Sequence, residues 1–500
     1  MKVLLVTAPY HWGQTHELYM RNTVTGAHPP IGLLYIAAIL RRAGHQVRVL
    51  DGVFASSERI MQCLAEFSPQ LVGIGSVANM WPSSRRLAEQ IKQRFAHLTL
   101  IAGGPGPSTL GRRCLEECAA LDAVIVQEGE ESTLEFVDRL ATGNRPAGIA
   151  GTIIRLADGR LEENPPRRPI ADLDGLPHPA FDLVDPTRYI PKLGSYRQLP
   201  SMPLETSRGC PFECIFCYKL HGRNVRYHGI EATIEEIDCY RRHYSVRELS
   251  FNDENFTLRH DRVRLFCEAY RRRGFPMKWS ATARVDAVNP AILRQMKDAG
   301  CWYVYFGMES GVQKNLDTLK KNTTLEQGKN AIAWAHQVGM CTMALFMFGI
   351  PGETVDDFRQ TVRFARTINS DYAEFFPITP FPGTELAQTA EKFGILNSDL
   401  SKYNMHSIVF TPHSMRGVDL DALRRWAYIR YCLRPRFIAL RLKALKHPGE
   451  AAIAWRGLRF FTSLIGYELR LTMKRLKPQR FRSLKSQIMP EHSHHNSPRN

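Results

Sequence analysis

Three cysteines stand within eight residues, in the run Ser207-Arg208-Gly209-Cys210-Pro211-Phe212-Glu213-Cys214-Ile215-Phe216-Cys217-Tyr218. Thiolates at this CxxxCxxC spacing, on a loop opened by Gly209-Cys210-Pro211, can hold three corners of a cubic iron–sulfur cluster. The fourth corner has no cysteine, so one iron stays open to a small molecule. A structural zinc asks for four closed ligands, usually from two CxxC pairs, and no second pair is present. Purely structural cysteines are the alternative, and they leave the spacing beside Gly-Cys-Pro and an aromatic residue without a reason. The fold therefore has to present this loop at the end of an element that a ligand can reach.

Two series of alternating strands and helices supply such ends. Apolar runs at 2–8, 46–51, 71–76, 98–104 and 123–127 read as buried parallel strands, with amphipathic stretches at 31–42, 58–67, 84–95 and 110–119 between them. Five βα units in a row predict an α/β, doubly wound sheet, whose ligands sit beyond the carboxyl ends of the strands. Those ends carry Pro9 and a long loop, Gly75-Ser76, Gly103-Gly104 and Glu128-Gly129-Glu130, small enough for a large flat ligand to approach the backbone. Seven prolines between Pro165 and Pro191 then stiffen an extended connector. The second series has strand-like runs at 204–207, 248–252, 278–283, 302–308, 342–348 and 373–379 and helical ones at 233–243, 259–273, 290–299, 324–338 and 355–367. Six such units fit a partial (β/α)6 barrel, and the cysteine loop follows its first strand, where barrel chemistry belongs. The expected divisions are 1–146 for the sheet domain, 147–200 for the connector, 201–412 for the barrel and 413–500 for a basic helical end.

The other strand ends of the second series are polar. They read Asn252-Asp253-Glu254-Asn255, Arg284-Val285-Asp286, Glu309-Ser310-Gly311, Gly349-Ile350-Pro351-Gly352-Glu353 and Pro380-Phe381-Pro382-Gly383-Thr384. Any one alone reads equally well as a solvated turn. Together they put carboxylates, an arginine and a Gly-Pro loop around one mouth, which suits a ligand with an amine, a carboxylate, a ribose and a purine. With Phe216 just before the last cysteine, the whole pattern resembles the radical SAM enzymes. The resemblance implies a 4Fe-4S cluster on Cys210, Cys214 and Cys217 whose open iron chelates S-adenosylmethionine and cleaves it to an adenosyl radical. It further implies Phe216, Glu309 and Ser310 at the ligand, Arg284 at its carboxylate, and Gly349, Ile350, Pro351 and Gly352 at its adenine. Asp253 and Glu254 are left as catalytic candidates that face either this ligand or the substrate.

A five-stranded sheet ahead of such a core resembles the cobalamin-binding domain of the cobalamin-dependent radical SAM family. The resemblance rests on Gly26-Ala27-His28-Pro29-Pro30-Ile31-Gly32-Leu33-Leu34-Tyr35, Ile74-Gly75-Ser76, Ala102-Gly103-Gly104-Pro105 and Glu128-Gly129-Glu130-Glu131-Ser132, and covers roughly residues 1–412. It implies that Ser76, Gly103 and Gly104 line the slot for the nucleotide tail of cobalamin. Methionine-synthase-like domains carry an Asp-x-His-x-x-Gly loop whose histidine ligates cobalt. Here His11, His16 and His28 lie in that loop and none has this context, as in many members of the radical SAM family. A degenerate sheet that binds no cobalamin is the alternative.

The formal charge of +17 is concentrated at one end, for residues 424–485 hold seventeen Lys and Arg against only Glu450 and Glu468. Basic residues interleave there with Trp426, Phe437, Trp455, Phe460, Phe461 and Tyr467 at near-helical spacing. Three readings stay open: a lid packed on the barrel, helices lying on an anionic membrane surface, and RNA binding. The stretch Glu491-His492-Ser493-His494-His495 reads as a disordered end. Eight cysteines outside the motif form no disulfide framework, which fits a reducing compartment. The chain starts directly in a strand and has no run of about eighteen apolar residues, so a cytoplasmic enzyme is expected. The favoured activity is methyl transfer to an unactivated carbon of a hydrophobic small molecule such as a lipid, isoprenoid or tetrapyrrole. The resemblance also implies an electron donor such as flavodoxin or ferredoxin. Oxidative cyclisation without methyl transfer, as in the anaerobic tetrapyrrole cyclases, uses the same cofactors. A tRNA methylthiotransferase is the alternative of another class, but Cys63, Cys114 and Cys118 lack its second cluster arrangement, and nucleic acid is not the expected partner.

Overall fold

The structure, a computed structural model, describes residues 1–9, 27–192 and 194–444. Five parallel strands, β1 (Lys2–Thr7), β2 (Gln46–Leu50), β3 (Leu71–Gly75), β4 (Thr99–Gly103) and β5 (Ala123–Ile125), lie in the order β2-β1-β3-β4-β5. Val3, Leu5, Leu71 and Ile101 enter one core, and Leu4, Val6, Val72 and Leu100 the opposite one. Burial on both faces is why each strand reads as an unbroken apolar run. The helix Ile31–Arg42 buries Leu33, Leu34, Ala37 and Leu40 along one stripe. The expected helix at 110–119 is split into Pro105–Leu110 and Arg113–Glu117, because Gly111 takes φ +54 and stops the first. Strand order reverses between β1 and β3, and ligands of such sheets sit at that switch point.

The sheet does not end at residue 146. Two antiparallel strands, β6 (Thr152–Arg155) and β7 (Leu161–Glu163), add to the β5 edge. Their hairpin turns at Asp158-Gly159, with Gly159 at φ +85, a turn signal that the proline count had overshadowed. The stretch expected to begin a connector at 147 therefore belongs to the sheet as far as Glu163.

The second unit runs through β8 (Ser201–Leu204), β9 (Ser207–Arg208), β10 (Arg226–Tyr227), β11 (Glu248–Phe251), β12 (Lys278–Ala283), β13 (Cys301–Glu309), β14 (Cys341–Phe348) and β15 (Tyr372–Pro377). Six of these make an all-parallel partial barrel in the order β15-β14-β13-β12-β11-β8. The first strand lies earlier than the expected 204–207, since Ser207–Arg208 turns away to pair antiparallel with β10. Leu249, Trp279, Val304, Phe346 and Phe375 face the covering helices. The helix Leu420–Cys432 packs on this core, and its Tyr431 hydroxyl donates to the Ser370 carbonyl at 2.6 Å, at the foot of β15. Arg434 donates to the same carbonyl at 2.9 Å, so the basic segment begins as a packed element. The tail beyond Ala444, with Trp455, Phe460, Phe461 and Tyr467, lies outside the described residues, as do His11 and His16. Among the described residues no helix is long and apolar enough to cross a membrane.

Candidate active site

The cysteine loop is clipped at its base, because β9 and β10 pair where residues 209–225 leave and return. Gly209 has φ +100, and a Cβ there would stand 2.5 Å from the Asn224 carbonyl oxygen, so only glycine fits. The Cys210 amide donates to Gly222 O at 3.2 Å, the Ile215 amide to Leu319 O at 3.1 Å and the Leu386 amide to Ile215 O at 2.9 Å. The loop is thereby fixed to the segments that follow β13 and β15. Among the described residues no three His, Cys, Asp or Glu side chains converge on one ion. Thiolates that each take a different iron need no such convergence, and a three-cysteine donor set fits an open-cornered cluster rather than a closed zinc site.

Arg284, at the end of β12, lies 3.5 Å over the Phe212 ring with Nη1 3.9 Å from Cys214 Sγ. Asp286 accepts from its Nε and Nη2, both at 2.9 Å, and the Lys321 carbonyl accepts from Nη2 at 2.7 Å. The Lys321 ammonium in turn donates to Glu309 Oε1 at 2.6 Å, and both side chains are buried. Glu309 holds the left-handed φ of +61 at a register break between β13 and β14. A Cβ on Gly307 would reach Glu309 Oε1 at 2.5 Å and Lys321 Nζ at 2.8 Å, so a bare backbone makes room for the pair. Sequence reasoning missed Lys321, which belongs to no local motif there.

Ser310 is buried, and its hydroxyl accepts from the Val312 amide (3.2 Å) and Asn315 Nδ2 (3.1 Å). Asn315 Nδ2 also donates to Glu353 Oε1 at 3.1 Å, which ties the loop after β13 to the loop after β14. Glu353 accepts from the Gly349 and Ile350 amides at 2.6 and 3.2 Å, and burial pushes its carboxyl up to about 8. Ile350 packs with Ile215, Leu319 and Phe216, so the Gly-Pro loop lies directly beside the cysteine loop.

The two acids after β11 part company. Asp253 is buried and braces the turn after β8, accepting from the Thr206 amide and hydroxyl at 2.7 Å and the Ser207 hydroxyl at 2.8 Å. Its carboxylate is engaged by that turn. Glu254 accepts from the Gly209 amide at 3.4 Å and lies 3.0 Å from His221 Nδ1, at the flank of the cysteine loop. Burial would raise the Glu254 pKa, but the His221 hydrogen bond and charge outweigh it and hold the carboxyl below its usual range. His221 is a second residue that the sequence did not single out.

On the first sheet the ends of β3 and β4 form one ledge. The Ser76 amide donates to Gly103 O at 2.9 Å and the Gly106 amide to Ser76 O at 3.0 Å. A Cβ on Gly104, at φ +95, would come 2.9 Å from Ser76 O. The Ser76 hydroxyl pairs with Ser84 Oγ at 2.9 Å. This ledge faces the barrel mouth. A Cβ on Gly383, after β15, would lie 3.0 Å from the Tyr218 ring and 3.5 Å from Thr109, which follows β4. Beyond β5, Glu128 takes a two-pronged Arg226 at 2.6 and 2.9 Å, and Glu130 takes Arg208 at 2.8 Å. The glycine ledge, one strand from the switch point, offers bare backbone of the kind a flat corrinoid needs. His28 is exposed.

The B12 binding domain family matches residues 18–137, and the radical SAM superfamily matches residues 204–365. An uncharacterized methyltransferase of Pyrococcus horikoshii is 31% identical over 443 residues, covering 88% of this chain and 94% of that protein. The chain belongs to the cobalamin-dependent radical SAM enzymes. Also similar is the anaerobic magnesium-protoporphyrin IX monomethyl ester cyclase of Rubrivivax gelatinosus, 26% identical over 450 residues, 88% of this chain and 78% of that protein. The radical S-adenosylmethionine methyltransferase TsrM from Kitasatospora setae, solved with cobalamin and a 4Fe-4S cluster bound, aligns at TM-score 0.69 and 18% identity over 94% of this chain and 99% of that one. That likeness shows a shared fold. A cobalamin-dependent radical SAM enzyme of this kind works with a 4Fe-4S cluster, S-adenosylmethionine and cobalamin.

Proposed function

We propose that this enzyme transfers a methyl group to an unactivated carbon of a hydrophobic small molecule. The observation that carries the reading is the apposition of the two strand-end surfaces, where the Arg226–Glu128 and Arg208–Glu130 pairs bind the base of the cysteine loop to the end of β5. When bound, the cofactors supply a hydrogen-abstracting radical from S-adenosylmethionine and a methyl group carried by cobalamin. The chain's own part is to hold both against one substrate and to exclude water. In this reading Cys210, Cys214 and Cys217 bind the cluster. Phe216, Arg284, Glu309 and the backbone of Gly349, Ile350, Pro351 and Gly352 seat S-adenosylmethionine, with Ser310 fixing the loop and Lys321 holding the Glu309 carboxylate. Ser76, Gly103 and Gly104 line the corrinoid slot, and His221 with Glu254 flanks the space between. The basic tail brings the enzyme to an anionic membrane surface, consistent with a hydrophobic substrate, and a flavodoxin or ferredoxin supplies the electron.

The Rubrivivax relative favours a second reading, oxidative cyclisation with the same cofactors. A tRNA methylthiotransferase reading is disfavoured, because Cys63, Cys114 and Cys118 are all buried in the core of the first sheet. Anaerobic reconstitution with iron, sulfide and hydroxocobalamin, followed by product analysis with methyl-labelled S-adenosylmethionine, separates the two. Label in a small-molecule product supports methyl transfer. 5′-Deoxyadenosine formed without labelled product supports the cyclase.

A further inference from the structure

The face of the barrel turned away from its helices is accessible along every strand from β12 to β15. Thr282, Tyr305, Leu345, Met347, Glu374 and Phe376 are half-buried, while the residues between them, such as Ala281, Phe306, Phe346 and Phe375, are buried against the helices. Register puts these accessible positions in shared rows, Thr282 beside Tyr305, Leu345 beside Glu374 and Met347 beside Phe376. Below them is a closed floor. Ser280 pairs in register with Tyr303, both are buried, and neither Ser280 Oγ nor Tyr303 Oη has a hydrogen-bond partner. Trp302 stacks on Tyr303 at 4.8 Å. The inner face thus presents half-buried apolar and aromatic side chains above two buried, unpaired hydroxyls.

The partial barrel is open between its edge strands β15 and β8, and the proline-rich connector covers that gap. Lys192 pairs with Glu374 on β15, a Cβ on Gly194 would lie 3.7 Å from the Tyr372 ring, and the Ser195 hydroxyl donates to the Lys192 carbonyl at 2.6 Å. Arg197 then lies 4.3 Å over Trp302, with its amide on Glu248 Oε2 at 2.8 Å. Lys192 keeps 44% of its side chain accessible while Glu374 keeps 14%.

We propose that the connector completes the substrate chamber and that Lys192 is its anion anchor. The substrate lays an apolar body against Tyr305, Leu345, Met347 and Phe376 and sets a carboxylate, sulfonate or phosphate on Lys192. Glu374 positions the ammonium and tempers its charge. The inference deepens the methyl-transfer reading and rests on it for the identity of the chamber's occupant.

The test uses the reconstituted full chain and two fluorescent probes of one aromatic body, anionic 1-anilinonaphthalene-8-sulfonate and neutral N-phenyl-1-naphthylamine. Lys192→Met is expected to weaken the sulfonate about tenfold, the loss of one charge-assisted contact, and to change the neutral probe little. Glu374→Gln is expected to tighten the sulfonate, since it removes a competing negative charge. Leu345→Trp fills the chamber and weakens both probes. An ion pair that serves only to hold the fold would move the sulfonate in the same direction in both charge variants, and that result overturns the proposal. So does Leu345→Trp leaving both affinities unchanged. Wild-type protein that meets every probe expectation yet transfers no labelled methyl keeps the anchor and loses the methyl-transfer reading.

Discussion

Replacing Arg226 by Met strikes the seam between the two cofactor-binding units. Arg226 donates to both Glu128 oxygens, to Ile170 O at 2.6 Å and to His221 O at 3.0 Å, and the pair is almost closed to solvent at 11% and 7% exposure. Without it Glu128 keeps only the Ile170 amide at 2.8 Å and a distant Arg208 at 3.8 Å. Breaking a buried pair by removing one partner strands a charge and costs about 3 kcal/mol. At a urea dependence of about 3 kcal/mol per molar, the unfolding midpoint of Arg226→Met falls by about 1 M. The double variant Arg226→Met/Glu128→Gln regains part of that loss, because the stranded charge is gone. Burial alone would raise the Glu128 pKa, but Arg226 and the Ile170 amide hold it below its usual range. A depressed carboxyl gives stability that is present above its unfolded pKa, near 4.3, and lost as pH falls through the folded value. The difference between wild type and variant is therefore full at pH 7 and shrinks in acid. An unchanged midpoint at pH 7, or a double variant weaker than the single one, refutes the reasoning.

Cys214→Ala should lose iron and 5′-deoxyadenosine formation together while far-ultraviolet circular dichroism stays unchanged; full cleavage activity removes the cluster assignment. Gly209→Ala should cost about 1–3 kcal/mol and lower the iron content, because its Cβ meets the Asn224 carbonyl at 2.5 Å and its φ is +100. Gly104→Ala presses on Ser76 O at 2.9 Å, so hydroxocobalamin should no longer co-elute with the full chain while iron content is retained. Deleting residues 445–500 should abolish co-sedimentation with anionic vesicles at low salt, an attraction worth about 1 kcal/mol per basic residue near the surface; unchanged sedimentation returns the tail to a packed lid.

Strand and helix positions were legible because burial on both faces writes them as apolar runs. The run at 278–283 coincides with β12, and the stretch at 31–42 with its helix. The cysteine loop stood out in the sequence because its three thiols lie within eight residues. Lys321, His221 and Arg226 did not, for each acts through a partner that the fold supplies. Arg226 and Glu128 stand 98 residues apart, and no local pattern marks either as buried. The Thr206 and Ser207 groups that surround Asp253 were equally hidden, for a carboxylate at a strand end gives no sign of them in sequence. The hairpin of β6 and β7 was hidden by the prolines that follow it.

The connector shows what holds this architecture in register. Tyr189 donates to Asp51 at 3.0 Å beside the end of β2, Lys192 reaches Glu374 on β15, and the amides of Arg197 and Gln198 sit on Glu248 at 2.8 and 2.9 Å. Within ten residues the chain is thus fixed first to one sheet, then to the far edge of the barrel, then to its foot. Each contact is polar and directional, so each specifies position more sharply than apolar packing does, although a buried ion pair adds little net stability. Two separately folded sheets joined by a loose linker would sample many relative positions and would keep any pair of ligands on them apart for most of the time. A strap pinned at three points, together with the Arg226–Glu128 and Arg208–Glu130 pairs, removes that freedom before any ligand binds. Group transfer between two bound molecules needs that prior alignment, because the entropy of bringing them together is then lost on folding rather than at the reaction.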